Sequence, residues 1–157
     1  MKFSDLYILT FLGLFSCNNL QNNQSDYKYT DEVLIYFNEI FHINLEQEKN
    51  KIYYLFEVEG CENCIDINSK MLLNLNQNEN LVIVFIGESK NQDFINRINT
   101  LKKKFLFLED KFREINNYKT NLAKPILIHL GNNGIKKIQM ITDDRLQETS
   151  RYINENL

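Results

Sequence analysis

The sequence predicts an α/β fold in which helices cover both faces of one mixed sheet. Strand-like and helix-like segments alternate through most of the chain after residue 30. Residues 81–87, "LVIVFIG", form a continuous apolar run, which is typical of a parallel strand buried on both faces. Residues 131–134, "GNNG", lie between two strand-like segments and predict a tight hairpin, so we expect the last two strands to be antiparallel.

The first element of the fold is predicted to be a helix that begins at Thr30. The Thr30 hydroxyl is a candidate N-cap, and Asp31 and Glu32 bring acidic side chains to the first turn, where the helix dipole favours them. Apolar residues then recur at helical spacing and are expected to face the core: Val33, Phe37, Ile40 and Phe41.

The other elements follow from the same periodicities. Strands are predicted at 51–58, 81–87, 105–110, 124–130 and 135–141, because these segments are rich in β-branched and aromatic residues. A helix is predicted after Cys64, a second at 91–104, a short one at 111–118 and a last one after 142. The inward residues expected on the three longer helices are Ile65, Met71, Leu72 and Leu75, then Phe94, Ile95, Ile98 and Leu101, then Leu146, Tyr152 and Ile153.

Composition is that of a soluble domain with a core of its own. The chain has 157 residues, of which 43% are hydrophobic and 25% are charged, so disulfides are not needed for folding. The net charge of -3 provides no basic surface, which argues against nucleic acid as a partner.

The first seventeen residues, "MKFSDLYILTFLGLFSC", are predicted to be a targeting signal. The apolar run 6–15 is shorter than the roughly 20 residues that span a bilayer, but it has the length of a signal-peptide core. Its ending at Ser16 and Cys17 resembles a bacterial lipobox, which implies lipid attachment to Cys17. An ordinary cleaved signal and a buried N-terminal helix are the alternatives. With residues 18–29 as a polar tether, we expect a domain at 30–157 held by lipid at the extracytoplasmic face of a bacterial membrane.

The pair Cys61 and Cys64 in "EGCENC" is the main candidate for chemistry. It fits a redox centre, half of a metal site or a structural disulfide. A metal site needs about four ligands, and His42 and His129, the two histidines of the chain, each lie in an apolar pattern, so we expect neither a metal nor another cofactor. Because the unpaired N–H groups at a helix start favour a thiolate, Cys61 is placed to be the nucleophile.

The order of elements, the CxxC after a strand and a proline before the terminal hairpin together resemble the thioredoxin fold. The resemblance covers residues 51–157, roughly, and includes "HLGNNGIKKI" at the hairpin. The extra helix and strand at about 92–108 look like the insertion of the membrane-anchored TlpA-like thiol–disulfide oxidoreductases and of peroxiredoxins. The peroxiredoxin cysteine pattern is absent, so the resemblance implies no peroxidase activity.

This resemblance implies a role for each matching residue. Cys61 matches the attacking cysteine and Cys64 the resolving one, while Pro125 matches the cis-proline that packs against the active disulfide. Lys124 is expected to face the thiols and to favour a thiolate, whereas Glu62 disfavours it. Leu55 takes the position of a buried acid in the family.

The implied function is that of a lipid-anchored thiol–disulfide oxidoreductase, most simply a reductase. Its partners would be disulfides of envelope proteins, and a membrane electron donor would keep it reduced. A redox-inactive scaffold lipoprotein with the same fold and a structural disulfide is the alternative, supported by Leu55 and by Asn63 between the cysteines.

Overall fold

The fold is described here from a computed structural model, in which residues 27–59 and 61–157 are described. Its helices are α1 (Thr30–Phe41), α2 (Glu62–Leu73), α3 (Gln92–Lys104) and α4 (Leu146–Asn156). Its strands are β1 (Lys51–Glu57), β2 (Leu81–Ile86), β3 (Leu106–Asp110), β4 (Ile126–Gly131) and β5 (Gly134–Met140). Short 3₁₀ turns at Glu114–Asn117 and Asp143–Arg145 precede β4 and α4 respectively. The predicted order of elements is therefore confirmed, except that the short helix expected at 111–118 is only the 3₁₀ turn Glu114–Asn117.

The five strands form one mixed sheet in the order β3-β2-β1-β4-β5. The pairs β1–β2 and β2–β3 are parallel, whereas β4 is antiparallel to both β1 and β5. The predicted mixed sheet with a terminal antiparallel hairpin is confirmed, and it is compatible with a thioredoxin-like fold. Because β1 lies at the centre, it is paired on both sides as far as Leu55, and Phe56 and Glu57 at its carboxyl end are paired with β2.

Side chains of β1 alternate between two hydrophobic clusters. Ile52, Tyr54 and Phe56 belong to the cluster that α2, α3 and α4 cover. Tyr53 and Leu55 belong to the cluster that α1 covers on the opposite face. The alternation follows from the period of two along a strand, and it confirms that helices flank both faces of the sheet.

The helices α2 and α3 share a face of the sheet for a topological reason. Both connect parallel strands, and both connections step in the same direction along the sheet, so right-handed crossovers place them on the same side. The predicted inner residues of α2 are all in the core, whereas Ile95 of α3 is only half-buried.

Two details at the amino-terminal side differ from the sequence-based expectation. Tyr29, not Thr30, is the N-cap of α1, and the Thr30 hydroxyl donates to the Tyr27 carbonyl oxygen. Tyr27 is 5% exposed and packs with α1, so residues 27–29 join the domain and not the tether. The proposed signal, Cys17 and most of the tether lie outside the described residues. Within the described ranges, no helix is long and apolar enough to cross a membrane.

His129 on β4 is a buried histidine held by α4. Its Nδ1 lies 2.7 Å from the hydroxyl oxygen of Tyr152, and the residue is 5% exposed. Burial, together with the nearby charges of Lys136 and Lys137, lowers the pKa of His129 to about 4. The imidazole is therefore neutral in the folded protein at pH 7, as a satisfied strand residue should be.

We expect His129 to make the protein less stable in acid. The imidazole has a pKa of about 6.5 in the unfolded chain and about 4 in the folded chain, so between these values the unfolded chain binds more protons. The free energy of unfolding therefore keeps the full contribution of His129 above about pH 6.5 and loses it as the pH falls towards 4. Urea unfolding at pH 7.5 and 4.5 should show a smaller loss of stability for His129→Gln than for the natural chain. The variant His42→Asn, which removes an exposed histidine, is the control and should lose as much stability as the natural chain. Equal losses in the natural chain and His129→Gln would contradict this account.

Candidate functional site

The two cysteines lie where β1 ends and α2 begins. They form a disulfide with a Cα–Cα distance of 5.3 Å, within the normal range. Cys61 is the N-cap of α2, and its Sγ accepts a hydrogen bond from the Cys64 backbone N–H at 3.3 Å. Cys61 is exposed and Cys64 is partly buried. An N–H group of the helix start is thus directed at the more accessible sulfur, where it would stabilise a thiolate.

A cavity of about 60 Å³ adjoins the disulfide. The end of β1, the first turns of α2 and the segment before β4 form its walls. Of the residues singled out in the sequence, it brings together Cys61, Cys64, Lys124 and Pro125. Glu62 is exposed and lines a neighbouring depression instead.

The prediction of a cis-proline is wrong for Pro125. The described residues contain no cis peptide bond, so the Lys124–Pro125 bond is trans. Trans is the lower-energy form by about 0.5–1 kcal/mol for a bond before proline. Here the chain turns at Asn121, which is in the left-handed region with a φ of 48° and accepts the Ala123 N–H at 2.7 Å. This turn delivers Pro125 to the cavity without a cis bond.

Lys124 lines the cavity but is also ion-paired with a carboxylate. Its Nζ is 3.8 Å from Oδ1 of Asp143, in the 3₁₀ turn before α4, and its side chain is 39% exposed. The attraction of Lys124 for a thiolate is therefore partly offset by Asp143 and by solvent screening.

The sequence analysis missed an acidic group at this site. Glu57, the last residue of β1, lines the cavity with the disulfide and forms an ion pair with Arg113. Arg113 Nη1 also lies 3.9 Å from Oε2 of Glu59. Burial raises the pKa of Glu57, Arg113 opposes that rise and Glu59 adds to it. The sequence does contain a signal for Glu57. This residue follows Leu55, the position of the family's buried acid, by two residues and therefore lies on the same side of the strand.

A second feature that the sequence analysis missed is a polar link beneath the disulfide. Asn68 is 2% exposed, lines the cavity and donates its Nδ2–H to the Cys64 carbonyl oxygen at 2.7 Å. Its Oδ1 accepts the hydroxyl proton of Tyr54, a fully buried residue at the centre of β1. Burial raises the pKa of Tyr54, which keeps the hydroxyl neutral and donating. The first turn of α2 is thereby tied to the central strand.

Neither a scan of known protein families nor a search of curated proteins finds a match to this chain. In the part of the chain that the structure describes, no group of three or more His, Cys, Asp or Glu residues is arranged to hold a metal ion. The interpretation of the site therefore rests on its own geometry.

We expect Asn68→Ala to destabilise the protein by about 1–3 kcal/mol, because it leaves the buried Tyr54 hydroxyl without its acceptor. Urea unfolding of the natural chain and the variant measures the difference. Asn63→Ala, at an exposed position of the same helix, is the matched control and should change stability little. The double variant Tyr54→Phe/Asn68→Leu should lose less stability than the sum of the losses of the two single variants. An Asn68→Ala variant as stable as Asn63→Ala would refute the link.

Proposed function

We propose that this protein is a lipid-anchored, extracytoplasmic thiol–disulfide reductase of the TlpA-like kind, acting on disulfides of envelope proteins. The observation that carries the proposal is the position of Cys61: an exposed sulfur at the start of α2 that accepts the Cys64 N–H. The lipobox-like ending at Cys17 and the polar tether support the envelope location. The reducing direction rests on the resemblance alone.

The reaction begins with both cysteines reduced. The Cys61 thiolate attacks one sulfur of the substrate disulfide, forms a mixed disulfide and expels the other substrate sulfur as a thiolate, which takes up a proton. Cys64 then loses its proton and attacks Sγ of Cys61, which releases the second substrate sulfur. The substrate gains two electrons and the cysteine pair loses two, so a dithiol donor at the membrane must return the pair to its reduced form.

Glu57 is the proton acceptor of the second step in this proposal. Leu55 has no group that takes a proton, whereas the Glu57 carboxylate lines the same cavity as Cys64. A cavity of about 60 Å³ has room for water to carry the proton between the two groups. The raised pKa of Glu57 makes its carboxylate a better base than an exposed one.

A redox-inactive scaffold is the second candidate function. Leu55, Asn63 and the trans bond before Pro125 favour it, since each departs from the thioredoxin-like pattern. In that case the disulfide would only fix the start of α2.

Insulin reduction in the presence of dithiothreitol separates the two functions. We expect the purified full chain to accelerate insulin precipitation, and Cys61→Ser to abolish the acceleration because the nucleophile is lost. Cys64→Ser should accumulate a mixed disulfide, visible by mass spectrometry, since no thiol resolves it. A natural chain no faster than Cys61→Ser would favour the scaffold.

Glu57→Gln should slow the resolution of the mixed disulfide about tenfold or more at pH 7, because Cys64 then loses its proton only to solvent. The rate of the variant should rise with pH towards the ordinary thiol pKa of about 8.5. Stopped-flow measurement from pH 6 to 9 gives both profiles, while alkylation of Cys61 should be nearly unchanged. Glu79→Gln, which removes an exposed carboxylate that does not line the cavity, is the control. Identical pH profiles for Glu57→Gln and the natural chain would exclude this role.

A further inference from the structure

We propose that protein substrates of the disulfide bind along the β2–β3 side of the site, in a groove that runs from Cys61 towards Phe112. This inference rests on the proposed reductase function and names the surface and the substrate class. The substrate groove consists of two adjoining depressions at the carboxyl ends of β1, β2 and β3.

The first depression of the substrate groove adjoins the disulfide cavity and has a volume of about 200 Å³. It shares Glu59 with the disulfide cavity, so the two are continuous. Its apolar lining comes from three buried residues: Val58, Ile65 and Phe94. Glu59, Glu62 and Glu88 add carboxylates and Lys90 adds one ammonium group, so the charged lining is net negative. Such a depression suits a side chain with an apolar stem and a basic end.

The second depression continues away from the disulfide and has a volume of about 260 Å³. It shares Val58 and Glu88 with the first, and Phe85 and Ile98 give it an apolar lining. Its other wall includes Lys111, at the start of the turn after β3. The substrate groove therefore leads from Cys61 to this turn.

Phe112, at that turn, is 87% exposed. Its two neighbours in the chain are ion-paired: Lys111 Nζ lies 3.5 Å from Oε1 of Glu88, and Arg113 pairs with Glu57. A large apolar side chain that is held in water on a fixed turn loses little entropy on binding, which is typical of an anchor residue at an interface.

The Asp110 carboxylate holds the backbone of this turn. It accepts the N–H of Glu114 at 2.8 Å and of Ile115 at 3.0 Å, as well as the Tyr36 hydroxyl at 3.1 Å. The Asp110 carbonyl oxygen accepts the Gly87 N–H at 2.8 Å, which joins the turn to the end of β2. The wall of the substrate groove is thus built before any substrate arrives.

The occupant is a protein and not a small disulfide. A small disulfide needs to reach only the exposed Cys61, whereas a disulfide in a polypeptide brings flanking chain that must cover the surface around it. The first depression offers that chain apolar surface and three carboxylates beside one lysine. The charges of the second depression balance, since two carboxylates and two lysines line it. We therefore expect substrates whose disulfides are flanked by apolar and basic residues.

The experiment compares reduction rates of two substrates by the full chain and its variants. Insulin is the protein disulfide, and 5,5′-dithiobis(2-nitrobenzoate) is the small one. Phe112→Ser removes the anchor, and Asn99→Trp fills the second depression from an exposed helix position. Each should lower kcat/KM for insulin about fivefold or more, as expected for one anchor contact, and change the small-disulfide rate less than twofold. Ile35→Ser, at an exposed apolar position of α1, is the matched control and should change neither rate.

Ala123→Trp obstructs the opposite side of the disulfide, next to Pro125, and distinguishes the two sides. The proposal expects a smaller effect of Ala123→Trp on insulin than of Asn99→Trp. It is overturned if Ala123→Trp alone slows insulin, or if Phe112→Ser and Asn99→Trp keep the natural ratio of the two rates. A natural chain that reduces neither substrate would instead refute the reductase function, and this proposal with it.

Discussion

The attachment of α2 to the end of β1 is the constraint on which the site depends. β1 is buried on both faces, and its carboxyl end stays paired with β2 as far as Glu57, so this end has little freedom to move. Cys61 caps the helix that follows, and its sulfur replaces a side-chain oxygen as the acceptor of the Cys64 N–H. The same hydrogen bond that begins the helix thus sets the electrostatic environment of the sulfur.

The polar groups around the disulfide come from the face of the sheet that α2 covers and from the edge where the parallel strands end. Tyr54 and Asn68 come from the face that α2 covers, and they hold the Cys64 carbonyl oxygen in place. Glu57 and Arg113 come from the carboxyl ends of the strands, where their charges are partly solvated. In the core, burying a neutral hydrogen-bonded pair costs less free energy than burying an ion pair. At the edge, solvent reduces the cost of an ion pair. The site therefore combines a rigid neutral support with a carboxylate that can exchange protons.

The sequence predicts the elements well because each has a strong local pattern. The apolar run of β2, the hairpin at Gly131 and Gly134 and the inner face of α2 all depend on periodicity within a few residues. The pairing of Glu57 with Arg113 has no such signal, since it joins positions that only the folded sheet brings together. The trans form of the bond before Pro125 could not be predicted from the sequence either. The free-energy difference between the cis and trans forms is only about 1 kcal/mol, so the surrounding turn can reverse it.

Gly87 explains why the surface beside the disulfide is joined so closely to the turn after β3. Its φ of 83° is a left-handed value, and a Cβ at this position would lie 3.1 Å from Oε2 of Glu59 and 3.5 Å from Cγ of Arg113. The absence of a side chain therefore lets Glu59 pack directly against the end of β2. Arg113, itself at a left-handed φ of 57°, completes the contact from the far side. The turn that carries Phe112 therefore also positions the cation that pairs with the Glu57 carboxylate, so the proposed substrate groove and the proposed proton acceptor depend on the same few contacts.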